Sequence, residues 1–196
     1  MQIILSHFIT LDGVAQAPGG RKEDTDGGFE HGGWSMKYFD AEAMGPVLDS
    51  VLQRSDAILF GRRTWEVAAK AWPSRGGDPF SDRINSAPKY VASRTLADVS
   101  GWNGSELLPA DDALGAIREL REREGNGLYV LGSASLAAQL VDHDLVDEYV
   151  LMVEPILLGG GKRIFPETGQ ARPLELVSAE PTSTGVIMCT YRPARS

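Results

Sequence analysis

The feature that most constrains this chain is an alternation of two periods. Short apolar runs of strand character, "IILSHFITL" (3–11), "AILF" (57–60), "KYVAS" (89–93), "LYVL" (128–131) and "EYVLMV" (148–153), are separated for the most part by segments with helical spacing. Segment 111–124 carries Leu114, Ile117 and Leu120 on one stripe, with Asp111 as the expected N-cap and Gly125 as the stop. Segment 133–143 starts with a serine and repeats the pattern with Leu136, Leu140 and Val141 turned inward. Strands alternating with helices imply an α/β fold with a largely parallel central sheet and helices on both faces. The last two runs, "LELVSAE" (174–180) and "VIMCTY" (186–191), have only turn residues between them and read as an antiparallel hairpin at the sheet edge. Residues 12–34, rich in glycine and charge, read as a mobile loop bordering a site, not as a core element. No repeat or linker interrupts the chain, so 1–196 is expected to form a single domain.

Composition narrows the function classes. A formal charge of −8 argues against a nucleic-acid binder, and no apolar run is long enough to span a membrane, so a cytoplasmic protein is expected. The only cysteine, Cys189, lies in a strand-like run and reads as a buried small hydrophobe. His7, His31 and His143 are far apart and lack ligand-like spacing, so no metal site is expected.

Chemistry concentrates where strands hand over to helices. In "ILFGRRTWEVAAKAW" a strand ends at Gly61 and a helix begins at Arg62-Arg63-Thr64, although the macrodipole disfavours cations at a helix N-terminus. An anion bound at the free N–H groups would explain the pair. Ser93-Arg94-Thr95 and Gly132-Ser133-Ala134-Ser135 occupy equivalent positions after later strands, which points to an extended ligand with more than one phosphate. No G-x-G-x-x-G follows the first strand, and "LLGGGKRIF" departs from a P-loop because Arg163 follows Lys162 where a Ser or Thr belongs. Gly159-Gly160-Gly161 marks a backbone passing close to a ligand or a neighbouring strand.

The segments "FITLDGVAQ" (8–16), "ILFGRRTWE" (58–66), "YVASRTL" (90–96) and "LYVLGSASLAAQLVDHDLVDEYVLMVEPILLGGGKRIF" (128–165) together resemble the dihydrofolate reductase-like superfamily. They are most similar to the branch holding the reductase domain of riboflavin biosynthesis, the RibD C-terminal domain. The resemblance implies a dihydrofolate reductase-like three-layer fold, NADPH as cofactor and a homodimer. It implies that Gly61, Arg62, Arg63, Thr64, Ser93, Arg94 and Thr95 hold the adenosine end and 2′-phosphate, and that Gly132, Ser133, Ala134, Ser135 and Leu136 hold the pyrophosphate. It places Val14, Ala15 and Gln16 beside the nicotinamide, and Trp34 and Gly160 are the expected substrate contacts. The chain lacks the H-x-E and P-C-x-x-C of the partner deaminase domain, so a stand-alone reductase domain is expected. It also lacks the Pro-Trp turn of dihydrofolate reductases: Trp34 has no matching proline, and Asp40, Glu42 and Asp49 offer no single pteridine-binding carboxylate.

The expected function is NADPH-dependent reduction of a small heterocyclic or C=N/C=O substrate, resembling 5-amino-6-(5-phosphoribosylamino)uracil reductase. Dihydrofolate reductase-type activity, NADPH binding without turnover and a scaffold without cofactor are the alternatives. Reduction by a nicotinamide needs a proton source, for which Asp12 and Glu154 are the candidates.

Overall fold

The computed structural model describes residues 1–166 and 169–194. One eight-stranded sheet runs through it, with strands β1 (Gln2–Thr10), β2 (Ala57–Gly61), β3 (Lys89–Ala92), β4 (Ser105–Leu107), β5 (Gly127–Leu131), β6 (Glu148–Glu154), β7 (Leu174–Pro181) and β8 (Ile187–Pro193) in the order β4-β3-β2-β5-β1-β6-β8-β7. Pairing is parallel from β4 across to β6, and antiparallel where β8 joins β6 and β7. Helices α1 (Ala41–Gln53), α2 (Arg62–Ala71) and α3 (Pro79–Ser86) cover one face; α4 (Ala113–Glu122) and α5 (Ala134–Asp142) cover the other.

Strand alternation sets this partition. Along β1, Ile3, Leu5 and Ile9 enter the core beneath α4 and α5, while Ile4 enters the one beneath α1 to α3. The apolar residues of α4 and α5, Ile117, Leu120, Leu136, Leu140 and Val141, are all buried, as their spacing requires. Cys189 is buried, and burial pushes its thiol above the ordinary value, which disfavours the nucleophilic thiolate.

Local readings need correction at several points. The N-cap of α4 is Asp112, which accepts from the Gly115 N–H at 2.9 Å, in place of the neighbouring Asp111. Helix α5 starts one residue late, with Ser133 in the left-handed region and its hydroxyl spent elsewhere. Strand β4 and helix α3 were not legible, being short and set among glycines, prolines and polar residues. The segment 12–34 is more than a surface loop: Val14, Ala17, Phe29 and Trp34 form a small core of their own, and Val14 bridges to Arg163.

Candidate functional site

The order of the sheet brings the phosphate-like turns together. Strands β3, β2 and β5 are direct neighbours, so the turns that follow them share one edge of the sheet and line a groove of about 750 Å³. Gly61, Arg62, Arg63, Thr64, Ser93, Arg94, Thr95, Ser133, Ala134, Ser135 and Leu136 all line it. Gly132 lies under the groove wall, where an added Cβ would meet the Thr64 methyl at 3.0 Å.

The turns are built so that backbone N–H groups stay available. Gly132 and Ser133 both have positive φ, 58° and 67°, and so turn the chain sharply from β5 into α5. The Ser133 hydroxyl accepts from the Gly61 N–H at 2.8 Å, tying the end of β2 to the start of α5. Neither α2 nor α5 has a side-chain cap, so two helix N-termini open on the groove with their first N–H groups uncapped. Ser93 shapes the third turn by accepting from the N–H groups of Thr95 and Leu96 at 3.1 and 2.9 Å.

The cations are distributed unequally. Arg62 reaches Glu66 one turn along α2, at 3.3 Å, and Arg94 is exposed. Arg63 and Lys162 are joined by two carboxylates from the 12–34 segment, Asp24 and Asp26. Hydrogen bonds from Arg63 and Lys162 hold Asp26 well below the usual carboxylate range. These two acids and Lys162 were not anticipated as groove residues; their one sequence signal was the spacing of acids in "EDTDGG".

Val14, Ala15 and Gln16, the residues expected beside a nicotinamide, are buried where the chain leaves β1. Gln16 is a cross-brace. Its Nε2 donates to the carbonyls of Asp24 and Asp26, both at 3.1 Å, and its Oε1 accepts from the Lys162 N–H at 2.9 Å. Trp34, expected as a substrate contact, is buried in the small core, with its indole N–H donating to the Gln16 carbonyl at 2.8 Å. Gly160 lies on a second cavity, about 470 Å³, together with Gln16, Asp26, Phe29, His31 and Lys162.

The two candidate acids are in opposite electrostatic states. Asp12 accepts from the Thr10 hydroxyl at 2.5 Å and from the N–H groups of Gly159 and Leu158 at 2.8 and 3.2 Å. The Thr10 bond above all, with the two N–H groups behind it, holds its carboxyl below the ordinary value and makes it a poor acid. Glu154, the last residue of β6, is fully buried. Burial pushes its carboxyl up to about 7, against the opposing effect of the Ser35 hydroxyl that donates to Oε1 at 2.5 Å. Its Oε2 is buried and has no hydrogen-bond partner among the described residues. Such a group holds a proton near neutral pH, the state a general acid requires.

His7, on β1, is a further buried polar group near the groove wall. Burial lowers its pKa to about 4 against a hydrogen bond to the Gly132 backbone, so the ring is neutral, and Nε2 has no hydrogen-bond partner among the described residues.

Two uncapped helix N-termini, the exposed Arg94 and half-exposed Arg62, and a Gly132 turn packed close against the Thr64 methyl fit a ligand bearing phosphates. Among the described residues, no group of three or more His, Cys, Asp or Glu side chains is placed to hold a metal ion, and no helix is long and apolar enough to cross a membrane.

Comparison with known proteins bears on the family and the fold. The RibD C-terminal domain family model matches residues 1–188. An uncharacterized protein of Bacillus subtilis (strain 168), YyaP, is 27% identical over 199 residues, covering 97% of this chain and 94% of that protein. Riboflavin biosynthesis protein RibD of Haemophilus influenzae is 31% identical over 84 residues, which span 41% of this chain but 23% of that longer protein. Among solved structures, a protein assigned provisionally to riboflavin biosynthesis in Shewanella sp. PV-4 superposes with a TM-score of 0.75 at 22% identity, covering 100% of both chains. A pyrimidine reductase-like protein of Corynebacterium diphtheriae gives 0.62 at 15% identity, covering 100% of this chain and 92% of that one. At these identities the two structures establish the shared dihydrofolate reductase-like fold.

Proposed function

The chain belongs to the RibD C-terminal domain family, and from that premise we propose that it is an NADPH-dependent reductase of a small heterocyclic or C=N/C=O substrate, working as a homodimer. The observation that carries the reading is Glu154: a buried, proton-holding carboxyl with one unpartnered oxygen, at the carboxyl end of a strand in the same sheet whose edge forms the anion groove.

The cofactor, when bound, supplies a hydride. Arg62 and Arg94 would hold its phosphate charge, and the free N–H groups at the start of α2 and α5 would hold phosphate oxygens. Gly132 lets the turn from β5 into α5 pack against the groove-lining Thr64. Glu154 provides the proton for the atom that becomes basic as it is reduced, and Ser35 orients the carboxyl by bonding Oε1 and leaving Oε2 for the substrate. Asp12 stays ionised and fixes the Leu158–Gly159 backbone.

The absence of any buried carboxylate on α1, which buries Met44, Val51 and Leu52, goes against dihydrofolate as the substrate. The deciding experiment is a titration with NADPH and, separately, NADH, repeated with Arg62→Ala and Arg94→Ala, followed by cofactor oxidation against a panel of heterocyclic and carbonyl substrates. The expected result is NADPH binding weakened by roughly fivefold or more in each variant. No binding at millimolar NADPH would refute the reading, and binding without turnover on any substrate would favour a carrier or sensor.

A further inference from the structure

The segment between β1 and α1 delivers two carboxylates into the groove, and both are already engaged. Asp24 accepts from Arg63 and from Lys162 Nζ, each at 2.5 Å. Asp26 accepts from the same two residues, with Lys162 at 2.9 Å. Two cations that face the groove are therefore matched by two anions of the protein itself. The backbone that carries those anions is held independently, because Gln16 bonds the carbonyls of Asp24 and Asp26 and the N–H of Lys162. The anchoring of the segment by Gln16 is thus separate from the ion pairs, while Asp24 Oδ1 also accepts from the Asp26 N–H at 3.1 Å.

We propose that Asp24 and Asp26 are an internal counter-anion that a ligand must displace from Arg63 and Lys162, and that they set the groove's preference for ligands with adjacent phosphate groups. This deepens the reading of the groove as a cofactor-phosphate site and rests on it. A neutral group cannot replace the two carboxylates on these cations, and a single phosphate, though close to them in charge, presents it on one centre. A diphosphate spreads its charge over two adjacent centres, as the carboxylates do, while the displaced side chains turn toward water, which Asp26 already meets at 45% side-chain exposure and Asp24 at 16%. Asp26 and Lys162 also line the second cavity, so the exchange changes the charge that a substrate meets there.

The test titrates the whole protein with NADPH, inorganic pyrophosphate and inorganic phosphate, comparing wild type with Asp24→Asn, Asp26→Asn, the double variant and Asp111→Asn. Asp111 lines the same groove without an ion-pair partner among the described residues and reports the generic effect of removing a negative charge. The expected result is that the double variant binds inorganic phosphate roughly fivefold more tightly or better, that its preference for pyrophosphate over phosphate narrows, and that Asp111→Asn changes either by less than about twofold. Weaker NADPH binding in the double variant would mean that the carboxylates contact the ligand directly, and would overturn the proposal. Equal tightening by Asp111→Asn, or an unchanged pyrophosphate preference, would overturn it as well. NADPH binding by wild type that the substitutions leave unaltered removes this proposal alone, whereas no NADPH binding by any form removes the cofactor reading with it.

Discussion

Ser35 donates its hydroxyl to Glu154 Oε1 at 2.5 Å, and the second oxygen of the same carboxyl, Oε2, is buried with no hydrogen-bond partner among the described residues. One oxygen is oriented and the other is not engaged by any of them. Burial dominates the balance and holds the proton up to about pH 7.

The rate of reduction is expected to fall as pH rises through about 7, because the acid form of Glu154 is lost. Glu154→Gln keeps the shape without the proton and is expected to lose about a hundredfold or more in kcat, with that alkaline limb flattened. Kinetics from pH 5 to 9 on both proteins check this.

The same group links stability to pH. Its folded pKa lies above its unfolded value of 4.5, so its contribution is fully present below about pH 4.5 and is lost as pH rises through 7. Urea unfolding of wild type is expected to weaken over that interval relative to Glu154→Gln, by an amount on the order of 3 kcal/mol. Parallel curves would exclude a buried, proton-holding Glu154.

Ser35→Ala removes a donor that favours the charged carboxyl. The alkaline limb of the rate profile is then expected to move to higher pH, while Ser35→Thr, which retains the hydroxyl, keeps the wild-type profile. A change in KM with an unmoved limb would assign Ser35 to packing alone.

Gly132→Ala places a Cβ at a φ of 58° and 3.0 Å from the Thr64 methyl. A loss of about 1–2 kcal/mol is expected in thermal or urea unfolding, together with weaker anion binding. Adding Thr64→Ser, which deletes that methyl, is expected to restore part of the stability but not the part due to backbone strain.

Lys89 is fully buried, its ammonium donating to the carbonyls of Asn85, Ala87 and Asn103 at 2.8, 2.7 and 3.1 Å and lying over the Trp102 ring. Burial brings its pKa down to about 8 from 10.5, so the unfolded chain binds more protons between those values. Its contribution to stability is therefore expected to rise from pH 8 to about 10.5, and Lys89→Met should abolish that rise. Unfolding curves across this range on both proteins provide the check.

Periodicity and turn chemistry made much of the molecule legible in advance. The positions of β1, β2, β3, β5 and β6 to within a residue at each end, the buried stripes of α4 and α5, the terminal hairpin and the strand-end turns around Arg62, Arg94 and Ser133 all follow from patterns a few residues long, because side-chain direction repeats locally along a strand or helix. Sequence alone could not reveal that β5 inserts between β1 and β2, which makes three weak turns into one groove, since strand order depends on which distant segments pair. Nor could it separate Asp12 from Glu154. Both are carboxylates at strand ends, and only packing decides that one is surrounded by N–H donors and stays charged while the other is shut away from water and keeps its proton. Asp24 and Asp26 lie in the segment read as a mobile loop, and their role was hidden for the same reason: the cations they meet, Arg63 and Lys162, lie far along the chain and are brought to them only by the fold.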